Sequence, residues 1–254
     1  MKALDCDFIR YLSAKKKIDD GALNQKVRQK LGVQLMELQP GSPLRVLELG
    51  AGIGTMIERL FEWGLITGAE YTAVDADPRN IREAINRLNH WALNNGFEIT
   101  WRTPTTAEIQ AAAGRLLVKF ECKDIYHFFE HAPAARPWDL GLAHAFLDLV
   151  DNAEVVPRFC NLVRPGGYIY LTLNYDGETI LLPTIDIKFD ERITQLYNRS
   201  MDERIINGKP AGDSKTGRHL FLHLKKAGAE ILAAGGSDWE STRIAAQVVT
   251  DQSR

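Results

Sequence analysis

Apolar positions along this chain recur with two periods, and the change from one to the other marks the elements. From residue 1 to about residue 40, Ile9, Leu12, Ile18, Leu23, Val27, Leu31, Leu35 and Leu38 are spread among charges, a spacing that predicts two or three helices. Gln39-Pro40-Gly41-Ser42-Pro43 breaks that pattern. Val46, Leu47 and Leu49 then form a short run suited to a buried strand. Beyond Gly50 to Gly54, the residues Met56, Ile57, Leu60 and Phe61 share one face of a helix predicted from Thr55 to Trp63. Tyr71 to Asp75 is the next strand. A helix follows from Pro78 to about Asn94, with Ile81, Ala84, Ile85, Leu88 and Ala92 facing inward.

The second half continues in the same alternation. Residues 97 to 115 exceed a minimal connection, and Phe97–Trp101 reads as a short extra strand and Thr106–Ala113 as a short helix. Leu116–Glu121 is a third strand and Trp138–Ala143 a fourth. A helix carrying Val155, Val156, Phe159, Leu162 and Val163 is expected to start no earlier than about Ala153, because Pro157 fits its first turn. Arg164-Pro165-Gly166-Gly167 makes a tight turn into a fifth strand, Tyr168–Leu173. Glu178 to Asp213 is far longer than a loop needs, and it reads as a substrate cover with a helix near Glu191–Arg204. Ser214 is placed to cap a helix through Leu224–Ala227 that stops at Gly228. Glu230–Ala233 is expected as strand six and Arg243–Val249 as strand seven. There is no internal repeat and no low-complexity tract.

Composition narrows the class. A chain of 254 residues with 45% hydrophobic and 25% charged residues is ordinary for a globular protein with a substantial core. A net charge of −2 leaves no electrostatic footprint for nucleic acid, although a local basic patch can hide in an average. Cys6, Cys122 and Cys160 have neither disulfide-framework nor metal-ligand spacing, so no metal is expected. Met1 to Arg10 carries Asp5 and Asp7 and lacks a signal-type core. No apolar run approaches the ~20 residues of a membrane span. The expected location is cytoplasmic. Lys15-Lys16-Lys17 before Asp19-Asp20 has two readings: a solvated turn between helices, or part of a lid in which Tyr11, Lys15 or Asn24 lies over a ligand.

The candidate chemistry begins at the glycines. Strand, glycine turn and helix open a nucleotide-binding βαβ unit, and glycine lets a ligand lie against the backbone with no Cβ in the way. A dinucleotide fingerprint is G-x-G-x-x-G, whereas this run is G-x-G-x-G with Thr55 in sixth place. Glu48 stands just before the turn, where a carboxylate repels a pyrophosphate and attracts a cation. Asp75 lies about 20 residues past the turn at a strand's C-terminal edge, where its carboxylate can accept from both hydroxyls of a ribose. Asp77-Pro78 reads as a helix cap followed by proline in the first helical position.

The run Glu48-Leu49-Gly50-Ala51-Gly52-Ile53-Gly54 resembles motif I of the class I S-adenosylmethionine-dependent methyltransferases, an acidic residue followed by x-G-x-G-x-G. The Pro165-Gly166-Gly167 turn also resembles the one that precedes strand five in that family. The resemblance covers roughly residues 42 to 175, with weaker support to about 234. It implies an α/β fold, a doubly wound, mostly parallel seven-stranded sheet with helices on both faces and an antiparallel last strand. Residues 1–40 would be an N-terminal helical cap and 41–254 the methyltransferase domain, with the cover at about 177–213.

The resemblance implies S-adenosyl-L-methionine as cofactor. Glu48, Gly50, Ala51, Gly52 and Gly54 would lie at its first turn and Asp75 and Ala76 at its ribose. Asp124 and Ile125 would lie at its adenine, and Ala143 and His144 at the end of strand four. His144 stays open between general base, substrate hydrogen bonder and turn stabiliser. His219, Tyr175 and Asp176 are the other candidates for a base, which is needed only if the acceptor arrives protonated. Ala143-His144-Ala145-Phe146 stands where base-amino methyltransferases carry [D/N]-P-P-[Y/F], and Cys160 lacks a preceding proline. The expected acceptor is therefore a small, partly hydrophobic molecule, with nucleic acid and membrane disfavoured. The alternatives are an NAD-dependent oxidoreductase and a catalytically silent cofactor-binding module.

Overall fold

The computed structural model describes residues 8–38, 43–111, 114–132, 138–180, 182–184, 186–206 and 208–237. Two helices come first, α1 (Phe8–Ala22) and α2 (Gln25–Glu37). Asn24 separates them. Its side chain accepts from the Val27 N–H at 3.1 Å and caps α2, so it is a structural residue and not part of a lid. The three lysines lie inside α1 and not in a turn, because the charges there have buried partners described below.

The central units follow as β1 (Leu44–Leu49), α3 (Thr55–Glu62), β2 (Ala69–Asp75) and α4 (Pro78–Asn94). Asp77 accepts from the Arg79 N–H and Pro78 opens α4, as the sequence predicts. A meander comes next: β3 (Glu98–Thr103), β4 (Thr106–Ala111) and β5 (Gly114–Cys122). After α5 (Ile125–His131) come β6 (Trp138–His144), a 3-10 turn (Leu147–Leu149), α6 (Asn152–Leu162) and β7 (Val163–Thr172).

The sheet order is β3-β4-β5-β2-β1-β6-β7. The five strands from β5 to β7 are parallel, and only the β3–β4–β5 meander is antiparallel. Chain order reverses at the β1/β6 boundary, the crevice where doubly wound sheets bind ligands. Strand β1 shows why both faces are covered. Leu44 and Val46 pack with Leu35, Leu60, Ala84 and Leu88 on one face. Leu47 and Leu49 pack with Ile125, Phe128, Val155 and Phe159 on the other.

The sheet has seven strands, but not the seven expected. Thr106–Ala111 is a strand and not a helix, because Ala107, Ile109 and Ala111 are buried in alternation with less buried neighbours, a period of two. Glu230–Ala233 has no regular structure, and Arg243–Val249 lies outside the described residues. Among the described residues the antiparallel strands therefore sit at the sheet edge opposite β7. Helix α6 starts at Asn152 with Asp151 as its cap, so Pro157 falls in its second turn. Arg164-Pro165-Gly166-Gly167 is a register irregularity inside β7. A Cβ on Gly167 would meet the Asp139 carbonyl at 2.7 Å, and the Arg164 guanidinium pairs with the Asp139 carboxylate.

Beyond β7 lie α7 (Ile187–Asp202), a two-stranded hairpin of β8 (Ile205–Ile206) and β9 (Lys209–Pro210), and α8 (Thr216–Lys226). Helix α7 starts four residues before the predicted position because Asp186 accepts from the Phe189 N–H. Ser214 does not cap α8. Its N–H and hydroxyl donate to the Asp202 carboxylate, tying α7 to the start of α8.

Candidate active site

The C-terminal ends of β1, β2 and β6 open into one cavity of about 1300 Å³. Its floor is the glycine turn. Gly50, Gly52 and Gly54 all have positive φ, at 66°, 55° and 77°, where an L side chain is strained. Their surroundings differ. A Cβ on Gly50 would sit 2.2 Å from the Phe146 ring, and one on Gly54 would press on the Ala84 methyl at 3.2 Å. At Gly52 the nearest atom is the Leu12 side chain at 3.8 Å. Gly50 thus makes room for a neighbouring loop, Gly54 for packing against α4, and Gly52 for a ligand.

Asp75 braces this turn. Its Oδ2 accepts from the Gly52 N–H at 2.8 Å, and its Oδ1 accepts from the Asp77 N–H at 2.9 Å and the Asn80 Nδ2 at 3.1 Å. Asp75 and Ala76 line the cavity. Across from them Asp124 caps α5, its Oδ1 accepting from the Tyr126 and His127 N–H groups. Asp124 and Ile125 also line the cavity. Asn80, which sequence reasoning missed, stands beside Asp75 with a buried Oδ1 that has no partner.

Glu48 lies at the bottom, 1% exposed. The Tyr71 hydroxyl donates to its Oε2 at 2.7 Å. Burial pushes its pKa up to about 8, against the opposing pull of Tyr71 and Arg59. The carboxyl therefore holds its proton near neutrality. It gives the cation-attracting field read from the sequence only when a positive group arrives to favour its charged form.

The roof is α1, held by charge. Arg59 on α3 is 1% exposed. Its guanidinium meets the carboxylates of Asp20 and, at 3.8 Å, Asp19. It also donates to Thr55 Oγ1 at 3.1 Å and to the Lys16 carbonyl at 3.3 Å. Lys15 pairs with Asp19 at 2.7 Å, both side chains buried. Burial opposes the charge on Asp19, but its buried ion pair with Lys15 favours it, and this carboxyl is held below the usual range. Tyr11 and Lys15 line the cavity.

His144 ends β6 inside this network. Its Nε2 lies 2.9 Å from Arg59 Nη1 and 3.6 Å from the Asp19 carboxylate, and its Nδ1 bonds to Thr172 Oγ1. A guanidinium can only donate, so Nε2 accepts and Nδ1 carries the hydrogen. Burial, with Arg59 adding to it, lowers the pKa of His144. The ring is neutral, lines the cavity and has both nitrogens engaged by the protein. Ala145 next to it takes φ 51°, unusual for a residue with a Cβ, and its N–H is held by the Thr172 carbonyl at 2.9 Å.

The far wall is the cover. Tyr175 donates to Asn198 Oδ1 at 2.6 Å and meets Tyr197 edge-on at 5.0 Å. Ile193, Ile206 and Pro210 continue the wall, and Lys209 lies over the Tyr126 ring at 4.2 Å while pairing with Glu154. His219 and Asp176 are elsewhere. His219 bonds to Asp213 at 2.8 Å and Asp176 receives Arg218, and neither lines the cavity. Ala143 and Gly54 are likewise absent from its lining. His127, Glu130 and His131 form an exposed group on α5, also outside it.

No protein-family model matches the chain, and no curated protein matches it by sequence. Solved structures do. A plantazolicin methyltransferase, BpumL, bound to S-adenosylhomocysteine and a desmethyl-plantazolicin analogue, is 19% identical over 66% of this chain and 47% of its own, with a TM-score of 0.37. The mitomycin 7-O-methyltransferase MmcR is 15% identical over 82% and 51%, with a TM-score of 0.47. An O-methyltransferase family protein from Burkholderia thailandensis is 17% identical over 82% and 51%, with a TM-score of 0.45. The chain spans about half the length of these proteins.

Proposed function

We propose that this chain is a methyltransferase that uses S-adenosyl-L-methionine to methylate a small, partly apolar molecule. One observation carries the reading: the acidic-x-G-x-G-x-G turn sits at the switch point of the sheet and opens, at Gly52, into a cavity larger than the ~300–1,000 Å³ of a typical single-ligand site. The residues present fit the cofactor. Gly52 leaves the backbone bare, Asp75 offers an acceptor for ribose hydroxyls, and Asp124 and Ile125 offer an acceptor and an apolar face for adenine. Glu48 beneath the turn gains its negative charge most easily beside a positive ligand.

When bound, the cofactor would supply a methyl group on a sulfonium, transferable to an acceptor's lone pair with the electron pair of the broken carbon–sulfur bond left on sulfur. The protein's work is to orient and to exclude water. Holding both partners in a reactive arrangement is worth on the order of 7–11 kcal/mol in favourable cases. The α1 roof closes one side of the cavity, and the Tyr175–Tyr197 wall shapes the other. His144 serves as a neutral brace between Arg59 and Thr172 in this reading, and an acceptor that carries a proton releases it to water. Cys122 and Cys160 are unpaired thiols, in keeping with a cytoplasmic site of action.

Calorimetry tests the proposal. S-adenosylhomocysteine is expected to bind the protein, NAD is not, and Gly52→Ala is expected to weaken binding tenfold or more. Binding of NAD alone would replace this reading with that of an oxidoreductase. Tight cofactor binding without turnover across a broad panel of small acceptors would favour a silent module.

A further inference from the structure

Asp148 is a carboxylate that the fold does not use. It sits in the 3-10 turn after β6, 8% exposed, and lines the cavity. Its Oδ1 is sealed from solvent and has no partner. Its Oδ2 receives no bond from another residue among the described residues. Among the described residues the hydrogen bond to the carboxyl comes from its own backbone N–H. Burial raises its pKa, and the two cations whose field reaches it are Arg204 and Lys15, the latter already paired with Asp19.

A buried carboxyl without a partner destabilises the fold that holds it, so its position calls for a partner from outside the chain. The neighbouring wall defines the rest of that partner. Tyr175, Tyr197, Ile193 and Ile206 present an aromatic and aliphatic surface. We propose that Asp148 receives the hydrogen-bond donor, a hydroxyl or a protonated nitrogen, of an otherwise apolar, ring-sized molecule bound against the cover. This deepens the methyltransferase reading, on which it rests only for calling that molecule the acceptor.

The test uses matched probes on the whole protein, each with and without S-adenosylhomocysteine. 2-Naphthol is compared with 2-methoxynaphthalene, and 2-naphthylmethylamine with 2-methylnaphthalene, by calorimetry. The wild type is expected to prefer the donor-bearing member of at least one pair by about tenfold or more, as a bond to a buried carboxylate allows. Which pair shows the preference identifies the donor. Asp148→Leu is expected to abolish that preference, to leave affinity for S-adenosylhomocysteine unchanged and to raise the melting temperature. Asp148→Asn keeps an acceptor but no charge, so it should lose the preference for the amine and retain part of that for the naphthol.

No preference in the wild type, or a preference that survives Asp148→Leu, overturns the proposal. If Asp148→Leu does not fold, Asp148→Asn decides: with the amine as donor, retention of the wild-type preference overturns it, and with the naphthol, an undiminished preference does. Donor preference without S-adenosylhomocysteine binding would leave Asp148 standing and remove the methyltransferase reading.

Discussion

The two halves of the cavity are built from different materials. The half under β1 and β2 is made of backbone turns and buried charges whose partners are all inside the protein: Asp75 on the Gly52 N–H, Tyr71 on Glu48, Arg59 on Asp19 and Asp20. The half under the cover is made of exposed side chains. Of its lining residues Ile193, Tyr197 and Ile206 are 41%, 52% and 52% exposed, and Met201 is the only buried residue of α7. A half that must present one geometry is over-determined by packing. A half whose surface can vary is attached at few points, here Asn198 on Tyr175 and Gly177, Lys209 on Glu154, and Ser214 on Asp202.

Substitutions can break this contrast. Arg59→Met should be the most damaging, because it takes the buried donor from Asp20, His144 and the Lys16 carbonyl at once. A loss of about 3–5 kcal/mol is expected in urea unfolding. Gly50→Ala should cost about 3 kcal/mol, combining the positive φ with the Phe146 overlap. Gly96→Ala has a similar φ of 70° but open space around it, and should cost only about 1–2 kcal/mol in the same assay.

Glu48 sharpens the contrast through pH. Its pKa is higher in the folded state, about 8, than the ordinary 4.5, so the folded protein binds more protons between those values. Its contribution is therefore fully present below about pH 4.5, falls as pH rises towards about 8, and is flat beyond that. A difference on the order of 5 kcal/mol across that window follows from the shift. Glu48→Gln should remove this slope from a series of thermal melts. The smallest effect is expected in the other half. Tyr197→Ala, at a half-exposed position, should cost less than about 1 kcal/mol and leave S-adenosylhomocysteine affinity unchanged. A cost as large as that of Gly50→Ala would show the two halves to be equally rigid.

The same division governs how much was legible in the sequence. The glycine turn, Asp75 and the Asp77-Pro78 cap could be placed because each needs particular residue types at short range. Arg59 could not. A charge on an amphipathic helix reads as solvent-facing, and its partners Asp19 and Asp20 lie about 40 residues earlier. The same contact turned Lys15 and Lys16 from a solvated turn into a roof. Thr106–Ala113 reads as a helix in the sequence, because its alternation of buried and less buried residues is short and rich in alanine, whereas Thr106–Ala111 is a strand. His219 seemed to face the site because it starts a helix near the sheet edge, but Asp213 holds it elsewhere. Asp148 and Asn80 gave no local signal at all, since an unpartnered buried oxygen exists only in three dimensions.

The antiparallel meander at the sheet edge bears on the order of assembly. Strands β3, β4 and β5 are neighbours in sequence as well as in space, so they can pair without closing a long loop. The β1–β6 pairing, in which Val46 meets Leu140, closes a stretch of more than ninety residues. Pairing of that kind is entropically slow. The crevice exists only once that pairing is made. Recovery of ligand binding after dilution from denaturant should therefore lag behind recovery of β-sheet signal, and ligand will report the last step of folding.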